Sequence, residues 1–67
     1  MILYTLPTCG KCKVLKMKLD SKNIPYEICE DISIMRSKGI LGVPAVELSD
    51  STILTDFQKI NEFVNKQ

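Results

Sequence analysis

Three cysteines and no histidine decide what chemistry this 67-residue chain is equipped for. Cys9 and Cys12 stand three residues apart in Cys9-Gly10-Lys11-Cys12, where an apolar, β-forming run gives way to a run of lysine, leucine and methionine that favours helix. A helix N-terminus presents backbone N–H groups without intrahelical partners and a partial positive charge. Sulfur held there is stabilised as thiolate, and Lys11 and Lys13 add positive charge, so Cys9 is expected to be the more acidic thiol and the nucleophile. Cys12 falls on the same first turn, within reach of a disulfide to Cys9, and is expected to be the less exposed of the two. The pair is equipped for two-step exchange: Cys9 attacks a substrate disulfide, and Cys12 resolves the mixed disulfide. The absence of histidine removes the commonest general base, the Cys-His catalytic pair and imidazole metal ligands.

Plainer readings stand beside this one. An inert buried cysteine pair leaves the spacing, the strand-to-helix junction and the flanking lysines without a reason. Two thiolates at this spacing are also half of a zinc site, but no second pair exists and Cys29 supplies only a third ligand; no metal site is assigned. Cys29 falls on an expected strand with no activating group, so it reads as a passive small side chain, with a regulatory thiol as the other reading. The lysines of the helical run are either a solvated face or a surface that steers acidic partners toward Cys9.

The elements that must position these residues follow from pattern. Ile2 to Leu6 reads as a buried strand ending at Pro7, and Cys12 to Lys22 as a first helix with Val14, Leu15 and Leu19 as its apolar stripe, broken at Asn23 before Pro25. Tyr26 to Glu30 reads as a strand near a sheet edge. Asp31 caps a short helix over Ile32 to Lys38 that closes at Gly39. Ala45 to Leu48 and Thr52 to Leu54 form a hairpin around Ser49-Asp50-Ser51. Thr55 or Asp56 caps a last helix that buries Phe57, Ile60, Phe63 and Val64 and leaves Lys59, Glu62 and Lys66 toward water. Phe57, Phe63 and Tyr26 are assigned to the core. The order β-α-β-α-β-β-α implies an α/β fold with a mixed four-stranded sheet and three helices, as one domain over residues 1–67.

Composition bounds the rest. With 45% hydrophobic and 25% charged residues the chain has the proportions of a soluble globular domain, and at this length large enclosed substrate cavities are not expected. A net charge of +1 and few aromatic residues argue against nucleic acid as partner. An odd cysteine count, and an N-terminal apolar run that stops at Pro7 with no basic leader, lead to a cytoplasmic expectation with no membrane partner. The chain is taken as a monomer.

With Pro7-Thr8 before Cys9 and Cys12, Val43-Pro44 opening the third strand, and a closing hairpin and helix, the chain resembles the glutaredoxin-like branch of the thioredoxin superfamily over essentially its whole length. The resemblance implies a thioredoxin-like sheet ordered strand two, one, three, four, and a cis bond before Pro44. It also implies that Pro44 faces the active cysteines and that the backbone beside it, at Val43, pairs with bound substrate. The expected activity is thiol-disulfide oxidoreduction of protein or glutathione mixed disulfides, with Cys9 and Cys12 catalytic and Thr8, Gly10, Lys11, Lys13, Val43, Pro44 and Asp56 meeting substrate. No bound cofactor is implied; glutathione enters as a co-substrate. Gly10-Lys11 stands where many dithiol glutaredoxins have Pro-Tyr, and no Gly-Gly pair precedes the last helix. The electron source therefore stays open between glutathione and thioredoxin reductase. The latter belongs to the NrdH-type redoxins, whose acceptor is ribonucleotide reductase. A small metal-binding chaperone also places a cysteine pair after a first strand, but this chain ends in a helix and lacks a Gly-Met approach to the pair. A non-catalytic adaptor leaves the intact pair unexplained.

Overall fold

The computed structural model describes residues 1–67. The strands are β1 (Ile2–Tyr4), β2 (Glu27–Cys29), β3 (Ala45–Glu47) and β4 (Ile53–Leu54), and the helices are α1 (Gly10–Ser21), α2 (Ile32–Ser37) and α3 (Phe57–Asn65). They follow the expected β-α-β-α-β-β-α order. The sheet runs β2-β1-β3-β4, with β1 parallel to β2 and antiparallel to β3, and with β3 and β4 antiparallel. This is the mixed sheet and the strand order that the resemblance implies. No helix is long and apolar enough to cross a membrane.

Alternation along the strands gives the sheet two apolar faces. Leu3 and Val46 point to one, where they pack with Leu15 and Leu19 of α1 and Ile60 and Val64 of α3. Tyr4 and Ala45 point to the other, where they pack with Met35 of α2 and with Ile40. Phe57, Phe63 and Tyr26 sit partly buried at the margin of the first cluster.

Helix ends follow local chemistry. Asp31 caps α2 by accepting from the N–H groups of Ser33 (2.9 Å) and Ile34 (3.3 Å), and Asp56, of the two expected caps, serves α3 by accepting from Gln58 (2.8 Å). Both α1 and α2 end in the same pair of bonds. Ile24 N–H reaches Leu19 carbonyl while Asn23 N–H reaches Asp20 carbonyl, and Ile40 N–H reaches Met35 carbonyl while Gly39 N–H reaches Arg36 carbonyl. This closure needs a left-handed residue just past the helix, supplied by Asn23 (φ 56°) and Gly39 (φ 74°). Each also ends on an apolar residue that joins its helix's core cluster, Ile24 against the one that holds Leu19 and Ile40 in the one that holds Met35.

Three expectations need correction. Helix α1 begins at Gly10 rather than Cys12, because Cys9 itself caps the helix and draws Gly10 and Lys11 into the first turn. Val14 is not in the buried stripe: it is 49% exposed, and Cys12 joins Leu15 and Leu19 instead. At 100° per residue, a helix that turns Leu15 and Leu19 inward carries Val14 round to its flank. The strands are also shorter than their apolar runs; β1 stops at Tyr4, since Pro7 offers no N–H and the chain must already be turning toward Cys9.

Candidate active site

A tight turn delivers the first cysteine. Cys9 N–H bonds back to Leu6 carbonyl (3.1 Å), closing a four-residue turn with Pro7 second, where its fixed φ suits a β-turn. Thr8 is exposed in this turn. Cys9 then takes the extended conformation of a helix-capping residue (φ −83°, ψ 107°), and its Sγ accepts from the backbone N–H of Cys12 at 3.1 Å. Asparagine, aspartate and serine oxygens ordinarily make this contact between a cap and the third helical residue. The two-residue spacer thus has a geometric origin: cap and third helical position lie close on one turn, and here their sulfurs are bonded to each other with the Cα atoms 5.3 Å apart.

The two sulfurs differ in surroundings. Cys12 is 1% exposed and belongs to the buried side of α1, while Cys9 is only half-buried. A Cβ added at Gly10 would meet nothing within 4 Å, so the space beside Cys9 is unobstructed on that side. Burial is divided as the sequence predicts, with Cys12 inside and Cys9 the more exposed of the two.

Two further segments converge on this end of the sheet. The register pairs Tyr4, the last residue of β1, with Ala45, the first of β3, so the Val43-Pro44 bond preceding Ala45 lies where β1 leads on toward Cys9. That bond is cis and Pro44 is buried. The ammonium of Lys11 lies 5.4 Å from the centroid of the Phe57 ring, a cation–π contact that ties the first turn of α1 to the first residue of α3 and brings the neighbouring Asp56 to the same end. Lys13 is exposed on α1, one turn beyond Cys9, and no contact draws it in.

An open groove of about 330 Å³ runs beside the Val43-Pro44 segment, lined by Leu6, Ile32, Met35, Arg36, Ile40, Leu41, Gly42 and Val43. Leu41 is 96% exposed. Sequence reading gave a functional part to Val43 alone among these residues; for the rest the only signal was Ile40-Leu41, an apolar pair outside any strand or helix period. Nor did it foresee Phe57 as the seat of Lys11, a contact across 46 positions of chain.

Other polar contacts lie away from the sulfurs. Glu47 accepts from Tyr4 Oη (2.7 Å) and Lys38 Nζ (2.6 Å), pinning the end of α2 onto β3. The bond from Lys38, and then that from Tyr4, hold the Glu47 carboxyl below its usual range, while the same bond from Lys38 holds that ammonium above its own. Burial, and then the Glu47 contact, push Tyr4 up. Cys29 packs half-buried against the α2-side cluster, and no three His, Cys, Asp or Glu side chains gather anywhere at metal-binding distance.

Comparison with known proteins agrees with this arrangement. The family model described as Glutaredoxin matches residues 1–53, which takes in the cysteine pair, the Val43-Pro44 segment and all but the last residue of β4. The chain is also 38% identical over 56 residues to NADPH-dependent thioredoxin reductase 3 of Arabidopsis thaliana. The matched part is 70% of this chain but spans only 11% of that much longer relative.

Proposed function

The chain belongs to the glutaredoxin family, and from that premise we propose that it reduces disulfides of protein substrates or glutathione mixed disulfides through a Cys9/Cys12 dithiol-disulfide cycle. The observation that carries the reading is the capping geometry, an accessible Cys9 Sγ receiving a helix N–H and bonded to a buried Cys12. In the reduced protein the Cys9 thiolate attacks one sulfur of a substrate disulfide. The other substrate sulfur leaves as thiolate and takes a proton from water. Cys12, on losing its proton, attacks Cys9 Sγ, and the remaining substrate thiolate departs. Two electrons have moved to the substrate, and the protein is left as the Cys9–Cys12 disulfide.

Pro44 and Val43 are read as the backbone platform beside the reacting sulfurs, and the adjoining apolar groove accommodates side chains that flank a substrate disulfide. Thr8, Gly10 and Asp56 border the approach, with Lys11 and Lys13 supplying positive charge. Working as a reductant requires a compartment that keeps the pair reduced, which favours the cytoplasm. Replacing Cys12 by Ser should trap a mixed disulfide on Cys9 that mass spectrometry detects, while replacing Cys9 should abolish exchange. Disulfide reduction surviving both replacements would sink the proposal.

A second reading concerns the electron source. Glutathione would use the Val43 backbone, Lys11 or Lys13, and the α3 N-terminus at Asp56. Against it, no Gly-Gly pair precedes α3, and a relative that carries a thioredoxin reductase name is 38% identical to this chain over 56 residues. These favour thioredoxin reductase as donor, with ribonucleotide reductase as acceptor. Oxidised protein offered glutathione with glutathione reductase, beside thioredoxin reductase with NADPH, separates the two by which system turns over.

A further inference from the structure

The near-neutral total charge conceals a strongly uneven distribution. Residues 10–22 carry five lysines, Lys11, Lys13, Lys16, Lys18 and Lys22, against Asp20 alone, whereas the rest of the chain holds seven carboxylates against four cations. None of the five is paired with a carboxylate; the one ion pair in the protein is Lys38 with Glu47. Helix α1 has Lys11 and no acidic residue in its first turn, where the helix terminus disfavours positive charge.

Activation of Cys9 accounts for only part of this. Lys11 and Lys13 are near the helix terminus, but at 1.5 Å of rise per residue Lys16 and Lys22 lie about 10 and 20 Å along the axis from Cys9. Screening at physiological salt has a length of about 8 Å, so neither can tune the sulfur appreciably. Lys18 is occupied in bonds to Asn61 (3.0 Å) and Asn65 (3.1 Å) of α3. Lys16 and Lys22 have no such partner.

The same helix exposes apolar surface. Met17 is 71% exposed and Val14 49% exposed, and with Lys18 and Ser21 they line a shallow open groove of about 350 Å³. Helical spacing puts Gly10, Val14, Met17 and Ser21 in one row that starts beside Cys9, with Lys11 and Lys18 along one side and Lys13 and Lys16 along the other, where Asp20, which accepts from Tyr26 Oη, is the one carboxylate. We propose that this face of α1 is a docking surface for an acidic protein partner in the exchange reaction, carboxylates meeting the lysines and an apolar side chain seated on Val14 and Met17. The proposal rests on the exchange reading of Cys9 and Cys12. Charge complementarity selects the partner: an excess of unpaired ammonium groups around an apolar row, continuous with the reacting sulfur, captures an acidic surface from a distance and holds it where Cys9 is exposed.

The test uses three probes with the reduced protein: hydroxyethyl disulfide, and two disulfide-linked peptides of equal length, each with one leucine, flanked by four glutamates or by four lysines. The glutamate peptide should be reduced at least tenfold faster than the lysine peptide at low salt, with the ratio falling toward one at 0.5 M NaCl. The double variant Lys16→Glu, Lys22→Glu should cut that ratio several-fold and leave the hydroxyethyl disulfide rate unchanged, and Met17→Ser should slow the glutamate peptide alone. Equal rates for the two peptides, or a ratio that the double variant does not change, would overturn the docking surface while leaving the exchange reading intact. Failure to reduce hydroxyethyl disulfide would instead overturn the exchange reading. A single-stranded oligonucleotide inhibiting more strongly than the reduced glutamate peptide would also overturn the proposal, making the face a nucleic-acid surface.

Discussion

A sulfur atom occupies a position where helices ordinarily place oxygen. Cys9 Sγ accepts the Cys12 N–H at the first turn of α1, and the same N–H and helix terminus will favour negative charge on that sulfur once the disulfide is reduced. Alkylation of the reduced protein followed against pH should therefore give a Cys9 midpoint below the ordinary cysteine value of about 8.5. A midpoint at or above that value would mean the helix terminus contributes nothing. The placement of Cys9 and Cys12 on one turn was legible in the sequence because a cap and its third residue are a local relation, set by spacing. Lys11 was only half legible. Its place near Cys9 is local, but its resting position on Phe57 depends on α1 and α3 packing side by side, which no local pattern encodes.

Elements were legible where their ends carry chemistry. Asp31, Gly39, Asn23 and Asp56 each mark a helix boundary through a bond or a dihedral angle that few other residues supply, and those boundaries fall within a residue or two of expectation. The start of α1 was misplaced because cysteine is not an ordinary cap, and Val14 was misassigned because a short helix with five lysines nearby has too few apolar positions to define a stripe. The link between α2 and β3 was not legible at all, since Tyr4, Lys38 and Glu47 meet only through the sheet. That link has a pH signature. Glu47 has a lowered folded value, so its contribution is complete above the ordinary carboxylate range, near 4.3, and is lost as pH falls through the lowered value. Lys38 has a raised value, so its contribution is complete below about 10.4 and is lost as pH rises through the raised one. Tyr4 acts in the same direction at alkaline pH, because the fold favours its protonated form. Thermal midpoints should thus be flat between about pH 5 and 10 and decline on either side. In Glu47→Gln the acid-side decline should be shallower; an unchanged acid limb would show that other carboxylates govern it.

At the scale of the whole molecule there is little surplus. A domain of fewer than about 70 residues rarely draws more than 3–5 kcal/mol from its single core, and here the principal cluster holds six fully buried side chains. Leu15→Ala removes one that bridges α1 to the sheet, at an expected cost of about 2–5 kcal/mol. Much of the variant population should be unfolded at 25 °C by far-ultraviolet circular dichroism, and a variant that melts with wild-type cooperativity at the wild-type temperature would show that α1 is held by something other than this cluster. Which residues form the core was largely legible from periodicity. How β1 and β3 come to lie side by side was not: strand order is a global property, and it came from the resemblance and not from the pattern of any segment.

The capping sulfur joins the first of these scales to the last. One atom both ends a helix and carries the electrons, so folding and electron affinity share a thermodynamic cycle. Whatever free energy the α1 terminus contributes to a charged Cys9, and withholds from the disulfide, appears twice: once as extra resistance of the reduced protein to unfolding, and once as a greater tendency of the folded pair to accept electrons than the same two cysteines have in the unfolded chain. Melting curves of the two redox forms would then report the oxidising strength that the fold confers, with no substrate in the cuvette.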